Sequence, residues 1–307
     1  MAHSARMREA IGIDLGGTLI KAARVDLASG AILQSAVRPT RDGEQDADGL
    51  PMFVQGAREC IEELEAESER TGLSVGMSAP GVASPHGDCI RWMPGRMHGI
   101  EGLNWEQVLG RRVVVLNDAH AALLGEVWMG AAQGCADVFM LTLGTGVGGA
   151  VMSGGRLLKG KLGRAGHLGH ISIDWDGEPD VFGTPGSLEQ AVAGQSLLRR
   201  SAGRYATTEE LVAAVQAGDE EAAKVWRQSV RALAVGIASL VNVLDPERVI
   251  VGGGIASGAS EALLRPLKEE LRSCEWRLMD RSVPILPATA GSYAGVLGAV
   301  WALVRGI

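Results

Sequence analysis

Apolar residues recur along this chain at two different periods, and the changes of period mark out its elements. Over 10–17 (AIGIDLGG), 20–27 (IKAARVDL) and 31–39 (AILQSAVRP) they form short β-type runs separated by Gly-containing turns, which predicts a meander of three strands. Over 51–72 the spacing switches to three and four, with Phe53, Val54, Ala57, Ile61 and Leu64 on one face and Gly72 as a stop, which predicts a helix. A strand at 73–79 follows, then an irregular stretch through Trp105, a strand at 111–117 and a helix at 118–130. The plan then restarts: strands at 136–144, 147–155 and 156–161, long helices at 207–217 and 220–243, a strand at 248–254 and a closing helix at 293–304.

Two copies of one strand-first plan predict a duplicated α/β protein with a cleft between its halves and ligands near the carboxyl ends of the strands. The expected division is 1–117, with 293–307 packing back on it, and 118–292. The first ten residues, MAHSARMREA, read as a disordered lead-in.

Composition narrows the function classes. A length of 307 residues suits about two domains, and 46% hydrophobic content with few aromatics reads as soluble and globular. The net charge of −7, with no block of like charge, argues against a nucleic-acid backbone as main partner. Cys60, Cys89, Cys135 and Cys274 are scattered without a CxxC pair, so neither a disulfide framework nor a cysteine zinc cluster is indicated, and a reducing cytoplasm is expected. No apolar run reaches the ~18 residues of a membrane span, and no signal-peptide core is visible.

Three glycine-rich turns follow predicted strands. In GIDLGGTLIK (12–21), Gly16 and Gly17 let backbone N–H groups approach a phosphate, Thr18 and Lys21 add a hydroxyl and a cation, and Asp14 is a carboxylate able to hold Mg²⁺ directly or through water. A plain hairpin turn is the alternative. In LTLGTGVGGAV (141–151), Gly144, Thr145 and Gly146 form a second loop. Its GxGxxG spacing is a chance match, because the sequence continues as a strand where a dinucleotide fingerprint opens a helix. GRLLKGK (155–161) fails as a Walker motif, since Leu162 stands where Ser or Thr is needed. In VIVGGGIA (249–256), glycines Gly253 and Gly254 would let a ring or ribose lie against backbone, with helical sequence from about Ser257. Together the three turns suggest a nucleoside triphosphate.

Asn117 and Asp118 fall where a strand turns into a helix. Asp118 reads either as an N-cap or as a general base whose charged form the helix N-terminus stabilises. At these residues the chain resembles the ROK family of sugar kinases and related repressors, of the ribonuclease H-like (actin-like ATPase) fold. The resemblance runs from about Ile11 onward through GIDLGGTLIK, NDAHAALLGE, LTLGTGVGGA and VIVGGGIA. It implies two domains with mixed sheets flanked by helices and an active site in the cleft between them. It also implies ATP and Mg²⁺ as cofactors, a sugar as substrate and a homodimer. Residue by residue, it makes Asp118 the base that takes a sugar hydroxyl proton and Asp14 the organiser of Mg²⁺. Gly16, Gly17, Thr18, Gly144, Thr145 and Gly146 become phosphate ligands, and Gly253 and Gly254 neighbours of adenosine.

The stretch GRAGHLGHISIDWDGEPDVFGTPGSLEQ (163–190) departs from that family. Members typically show GExGH and a zinc loop CxCGxxGCxE. Here His167 replaces the glutamate while His170 and Glu189 remain, and Asp180, Phe182 and Ser187 stand in place of the three cysteines. Too few thiolate or imidazole ligands are left for tetrahedral zinc, so no zinc is expected, and packing of Phe182 with polar contacts among His170, Asp180 and Ser187 is expected in its place. With Asn117, the residues His167, His170 and Glu189 are candidate sugar contacts; a capping or solvated role is the alternative for His170 and Glu189. His120 where a second Asn is usual, and WMPGRMHG (92–99) without the usual Asn, make glucose doubtful. Arg96, His98, His120 and His167 together would favour an acidic or phosphorylated sugar.

Three functions compete: an ATP-dependent carbohydrate kinase, a non-catalytic sugar sensor or regulator remnant, and a simple ATPase. Only about ten residues precede the first strand, so no helix-turn-helix is expected there.

Overall fold

The computed structural model describes residues 9–307. The chain folds into two compact units, the first comprising residues 9–133, 159–164 and 289–307 and the second 134–158 and 165–288.

In the first unit the predicted meander is present as β1 (Glu9–Leu15), β2 (Leu19–Asp26) and β3 (Ile32–Pro39), paired antiparallel. Glu9 and Ala10 are strand, which corrects the expected lead-in; the rest of that segment lies outside the described residues. Helix α1 (Met52–Ala66) buries the predicted face, Phe53, Val54, Ala57, Cys60, Ile61 and Leu64. It stops short of Gly72 because no apolar residue falls between Ala66 and Leu73, so another turn would have no face to bury. Strand β4 (Val75–Ala79) is buried throughout and pairs parallel with β1.

The stretch expected to be irregular contains a small hairpin, β5 (Val82–Ala83) and β6 (Ile90–Trp92), and the short helix α2 (Trp105–Leu109). Asn104 caps that helix by accepting the Gln107 N–H at 3.0 Å, and Gly110 ends it in the left-handed region at φ 64°. Strand β7 (Val113–Asn117) runs parallel to β4 and leads directly into α3 (Asp118–Met129). The sheet order is β3-β2-β1-β4-β7.

The second unit repeats this order as β10-β9-β8-β11-β12. Strands β8 (Val138–Leu143), β9 (Val147–Ser153) and β10 (Arg156–Leu157) are antiparallel. The third strand is shorter than predicted because residues 159–164 leave the sheet and join the first unit. There the Lys159 ammonium donates to Pro85 O at 3.3 Å, and Gly163 sits against the Ala83 carbonyl where a Cβ would collide. Next come α4 (Leu188–Val192), α5 (Leu197–Arg200), α6 (Thr208–Gln216) and α7 (Glu220–Leu244). Thr207 and Glu210 close a capping box on α6, and Asp219 caps α7. Strand β11 (Arg248–Gly252) lies parallel to β8, followed by α8 (Gly254–Cys274) and an unpredicted three-residue strand, β12 (Ile285–Pro287).

Helix α9 (Ala294–Arg305) belongs to the first unit. It packs on α3, which the sequence pattern assigns to the second half. Gly125 and Gly298 make the crossing close: a Cβ on either would strike the backbone of the other helix. None of the helices in the described residues is long and apolar enough to cross a membrane.

Candidate active site

Asp14 is the next-to-last residue of β1 and faces Lys21 across the β1–β2 ladder. Its carboxylate accepts the Ser78 hydroxyl at 2.7 Å from the neighbouring strand β4. Burial pushes the Asp14 carboxyl above its ordinary range. The charge of Asp118 adds to that shift, while the Ser78 hydrogen bond and the Lys21 ammonium oppose it. Ser78 belongs to none of the sequence motifs, although a lone hydroxyl in the otherwise apolar VGMSA strand is the kind of signal that marks such a partner.

Between β1 and β2, Gly16 N–H closes the turn on Leu19 O at 3.0 Å, and the buried Thr40 ties it down by donating to Gly16 O at 2.6 Å. Gly17 and Thr18 are exposed at its tip. Lys21 reaches Ser292 O at 3.5 Å.

At the β7–α3 junction the N-cap is Asn117, which corrects the N-cap alternative for Asp118. The buried Asn117 side chain accepts the N–H groups of Ala119 at 3.0 Å and His120 at 3.2 Å. Its amide donates to Gly81 O at 2.9 Å and to Asp118 Oδ1 at 2.8 Å. Asn117 is therefore committed at both ends to the frame that holds Asp118. Asp118 itself is exposed, one residue inside the helix, where the N-terminal dipole favours its anionic form. His120 is buried on the same helix. These groups all lie in the first unit.

In the second unit, β9 continues directly after the 144–146 loop, so the GxGxxG match is indeed not a helix-opening fingerprint. Gly144 N–H donates to Gly146 O at 3.0 Å, and Gly144 O and Thr145 O accept the Gly194 and Gln195 N–H groups at 2.9 and 3.0 Å. Buried Glu189 holds the far side: its carboxylate accepts the Val147 N–H at 2.8 Å and the Gln195 amide at 3.0 Å. A Cβ on Gly146 would lie 2.6 Å from Glu189 Oε2, so that glycine is required by the loop's own packing.

Gly253 has φ 89° and caps α8 with its Cβ position blocked by Leu143, whereas around Gly254 there is open space. The helix begins at Gly254, three residues earlier than its sequence suggests. Of this pair, Gly253 serves the strand-to-helix turn and Gly254 leaves room for a ligand.

His167 precedes and His170 ends a single 3-10 turn, Leu168–His170, and both are half-buried. His170 Nδ1 lies 2.9 Å from Asp180 Oδ2, and its ring stands edge-on to Phe182 with centroids 4.8 Å apart. Asp180 also accepts the Phe182 and Thr184 N–H groups at 2.9 and 3.0 Å. Burial would raise the Asp180 carboxyl, but hydrogen bonds from His170, Thr184, Phe182 and Ser187 outweigh it and leave the group below its ordinary range. Ser187 is buried and caps α4 through Gln190 N–H.

A model of the ROK family matches residues 10–306. The chain belongs to the ROK family. It is 32% identical to the glucokinase of Thermotoga maritima, over 94% of this chain and 95% of that protein. Among solved structures it is similar to the ROK hexokinase of Thermus thermophilus, with TM-score 0.83 and 34% identity over 97% of this chain and 99% of that one. It is likewise similar to a ROK family glucokinase from Streptomyces griseus in complex with glucose and AMPPNP, with TM-score 0.76 and 29% identity over 95% and 97% of the two chains. The mixed sheets flanked by helices are thus those of the ROK actin-like ATPase fold.

Proposed function

We propose that this chain transfers the γ-phosphoryl group of ATP to a sugar hydroxyl, with Asp118 as general base. The observation that carries the reading is an exposed carboxylate on a buried, fully hydrogen-bonded frame, electrostatically coupled to Asp14, in a ROK chain. As the sugar oxygen attacks phosphorus, its proton passes to Asp118, the bond from phosphorus to the bridging oxygen breaks, and ADP leaves. Such transfer depends chiefly on positioning and charge neutralisation. In this reading the N–H groups of Gly17, Thr18, Thr145 and Gly146 donate to phosphates, those of Gly16 and Gly144 closing their own turns, and Gly254 borders adenosine. His167, His170 and Glu189 stand on the sugar side, Glu189 also holding the second glycine loop in shape.

Asp14 fits Mg²⁺. It is a half-buried carboxylate raised by burial and by a second carboxylate, a pair that a divalent cation would relieve. No group of three protein ligands is present among the described residues, so water and phosphate oxygens would complete the shell. The ion would neutralise charge on the phosphates. A carboxyl raised in the folded state destabilises the fold above its folded pKa. Asp14→Asn should therefore raise the melting temperature at neutral pH, with the gain shrinking as pH falls through the raised folded-state pKa and gone by the ordinary carboxylate value of about 4. It should lower kcat by roughly 10²-fold, since the metal's charge stabilisation is worth several kcal/mol.

The 178–187 loop is held without zinc in this reading: His170 Nδ1, Asp180 and Ser187 already satisfy one another, and Phe182 packs where a thiolate would stand. Elemental analysis of purified protein should give far less than one zinc per chain; a stoichiometric content would refute this. The acceptor is read out by ADP release across neutral, amino, N-acetylated and acidic sugars. ATP turnover indifferent to every sugar would leave a simple ATPase, and no turnover a sugar-binding protein.

A further inference from the structure

We propose that Arg96 binds the phosphoryl group in flight, as a second cation over the first glycine turn; this rests on the sugar-kinase reading above. Arg96 lies in the loop after β6, and that loop is anchored on both sides of it. Met93 N–H donates to Glu101 Oε1 at 2.6 Å, and Met97 N–H to Asp42 Oδ2 at 3.0 Å. The Met97 side chain is buried although its backbone stands at φ 55°, and Gly99, at φ 88°, packs on Pro51. A non-glycine residue in the left-handed region costs on the order of 1 kcal/mol, and it persists here because the Met97 side chain fills the core. The backbone of Arg96 is thereby fixed while its side chain remains exposed.

That side chain reaches the turn. A Cβ at Gly17 would lie 3.6 Å from Arg96 Nη1, and no other atom beyond the turn's own neighbours comes within 4 Å. Arg96 has no ion-pair partner among the described residues. A long cation that neither packs nor pairs does little for stability. Here it instead overhangs a turn whose tip presents glycine backbone and the Thr18 hydroxyl.

Charge balance points the same way. Asp14 and Asp118 put two carboxylates in this unit, and the Lys21 ammonium that faces Asp14 leans toward Ser292 O. A phosphoryl group approaching that pair gains from a further cation on its open side, beside whatever charge a metal at Asp14 would supply. A guanidinium can present two parallel N–H donors to two phosphoryl oxygens, which an ammonium cannot. A neutral sugar has no anion to offer it. An acidic sugar would, but the feature beneath Arg96 is the glycine turn, which suits phosphoryl oxygens.

The test compares the full-length parent with Arg96→Ala and Arg96→Lys. Equilibrium binding of AMPPNP and of ADP is measured first, because it needs no turnover. If Arg96 holds the terminal phosphoryl, Arg96→Ala weakens AMPPNP by about tenfold and ADP by less than about twofold, the worth of one charge-assisted contact. With the best sugar from the panel, kcat should fall by on the order of 10²-fold while KM for the sugar holds. Arg96→Lys should recover only part of the loss. An unchanged AMPPNP-to-ADP ratio overturns the proposal, as does a variant that loses acidic sugars alone. A parent that turns over no sugar defeats the kinase reading instead, and the nucleotide comparison still decides Arg96.

Discussion

Asp118→Asn should lower kcat for the accepted sugar by roughly 10²- to 10⁴-fold, the usual worth of a positioned general base. The fold should be untouched. Asparagine Oδ1 can still accept the Asn117 amide and the Ala119 N–H, two hydrogen bonds that orient this side chain. Only the ability to receive a proton is lost, so KM for sugar and for ATP should stay within about threefold, the pattern of an interaction made mainly in the transition state. Steady-state kinetics on parent and variant, with melting curves for both, decide it. A variant that retains most of its kcat would remove Asp118 from the chemistry.

The second large effect falls on stability. Glu126 is fully buried on α3, and no cation pairs with it among the described residues. Its carboxylate instead accepts the N–H groups of Ala131 at 2.7 Å, Thr289 at 2.9 Å and Ala290 at 2.8 Å. These bonds fasten residues 289–290, the entry to α9, onto the end of α3. Glu126→Ala removes the acceptor shared by three part-buried N–H groups and empties a fully buried site, which should cost about 3 kcal/mol. Glu126→Gln should also destabilise, because one of its terminal atoms becomes a donor facing donors. For a unit of this size the alanine variant should melt about 6–10 °C lower. A fall of under about 2 °C would mean that water replaces the carboxylate.

Why Glu126 is hard to single out in the sequence is instructive. NDAHAALLGE displays it plainly, but a glutamate on a helix reads as solvated, and its three partners come from segments whose proximity only the fold reveals. The longer elements are legible because burial on one face imposes a period, as in α1 and α7. The short ones are not: β5, β6 and β12 have two or three residues each, too few to show a period, and α2 is one turn held by its caps. The assignment of α3 goes astray for another reason. Nothing local distinguishes a helix that packs on the preceding sheet from one that opens the next, and here glycine contacts with α9 settle the matter.

The site shows the same division. Glycines after strands, and a carboxylate after Asn, are visible as motifs. Their hidden supports are not: Ser78 beside Asp14, Thr40 beneath Gly16, and Gln195 behind Glu189 are each set by pairing across distant segments. In the 163–190 stretch, by contrast, the expected contacts of His170, Asp180 and Phe182 appear as hydrogen bond and ring contact.

Helix α9 contributes Val296, Leu297, Val300 and Leu303 to a core whose other buried members, Ala10, Ala23 and Val25, lie in the first two strands. A ribosome emits those strands long before it makes their cover. Until residues 294–305 emerge, nascent β1 and β2 must wait with one face wet, exposed to chaperones or to wrong partners, while all of the second unit has already been translated. The strands of the first unit are made before the second unit, yet the first unit is the last to close.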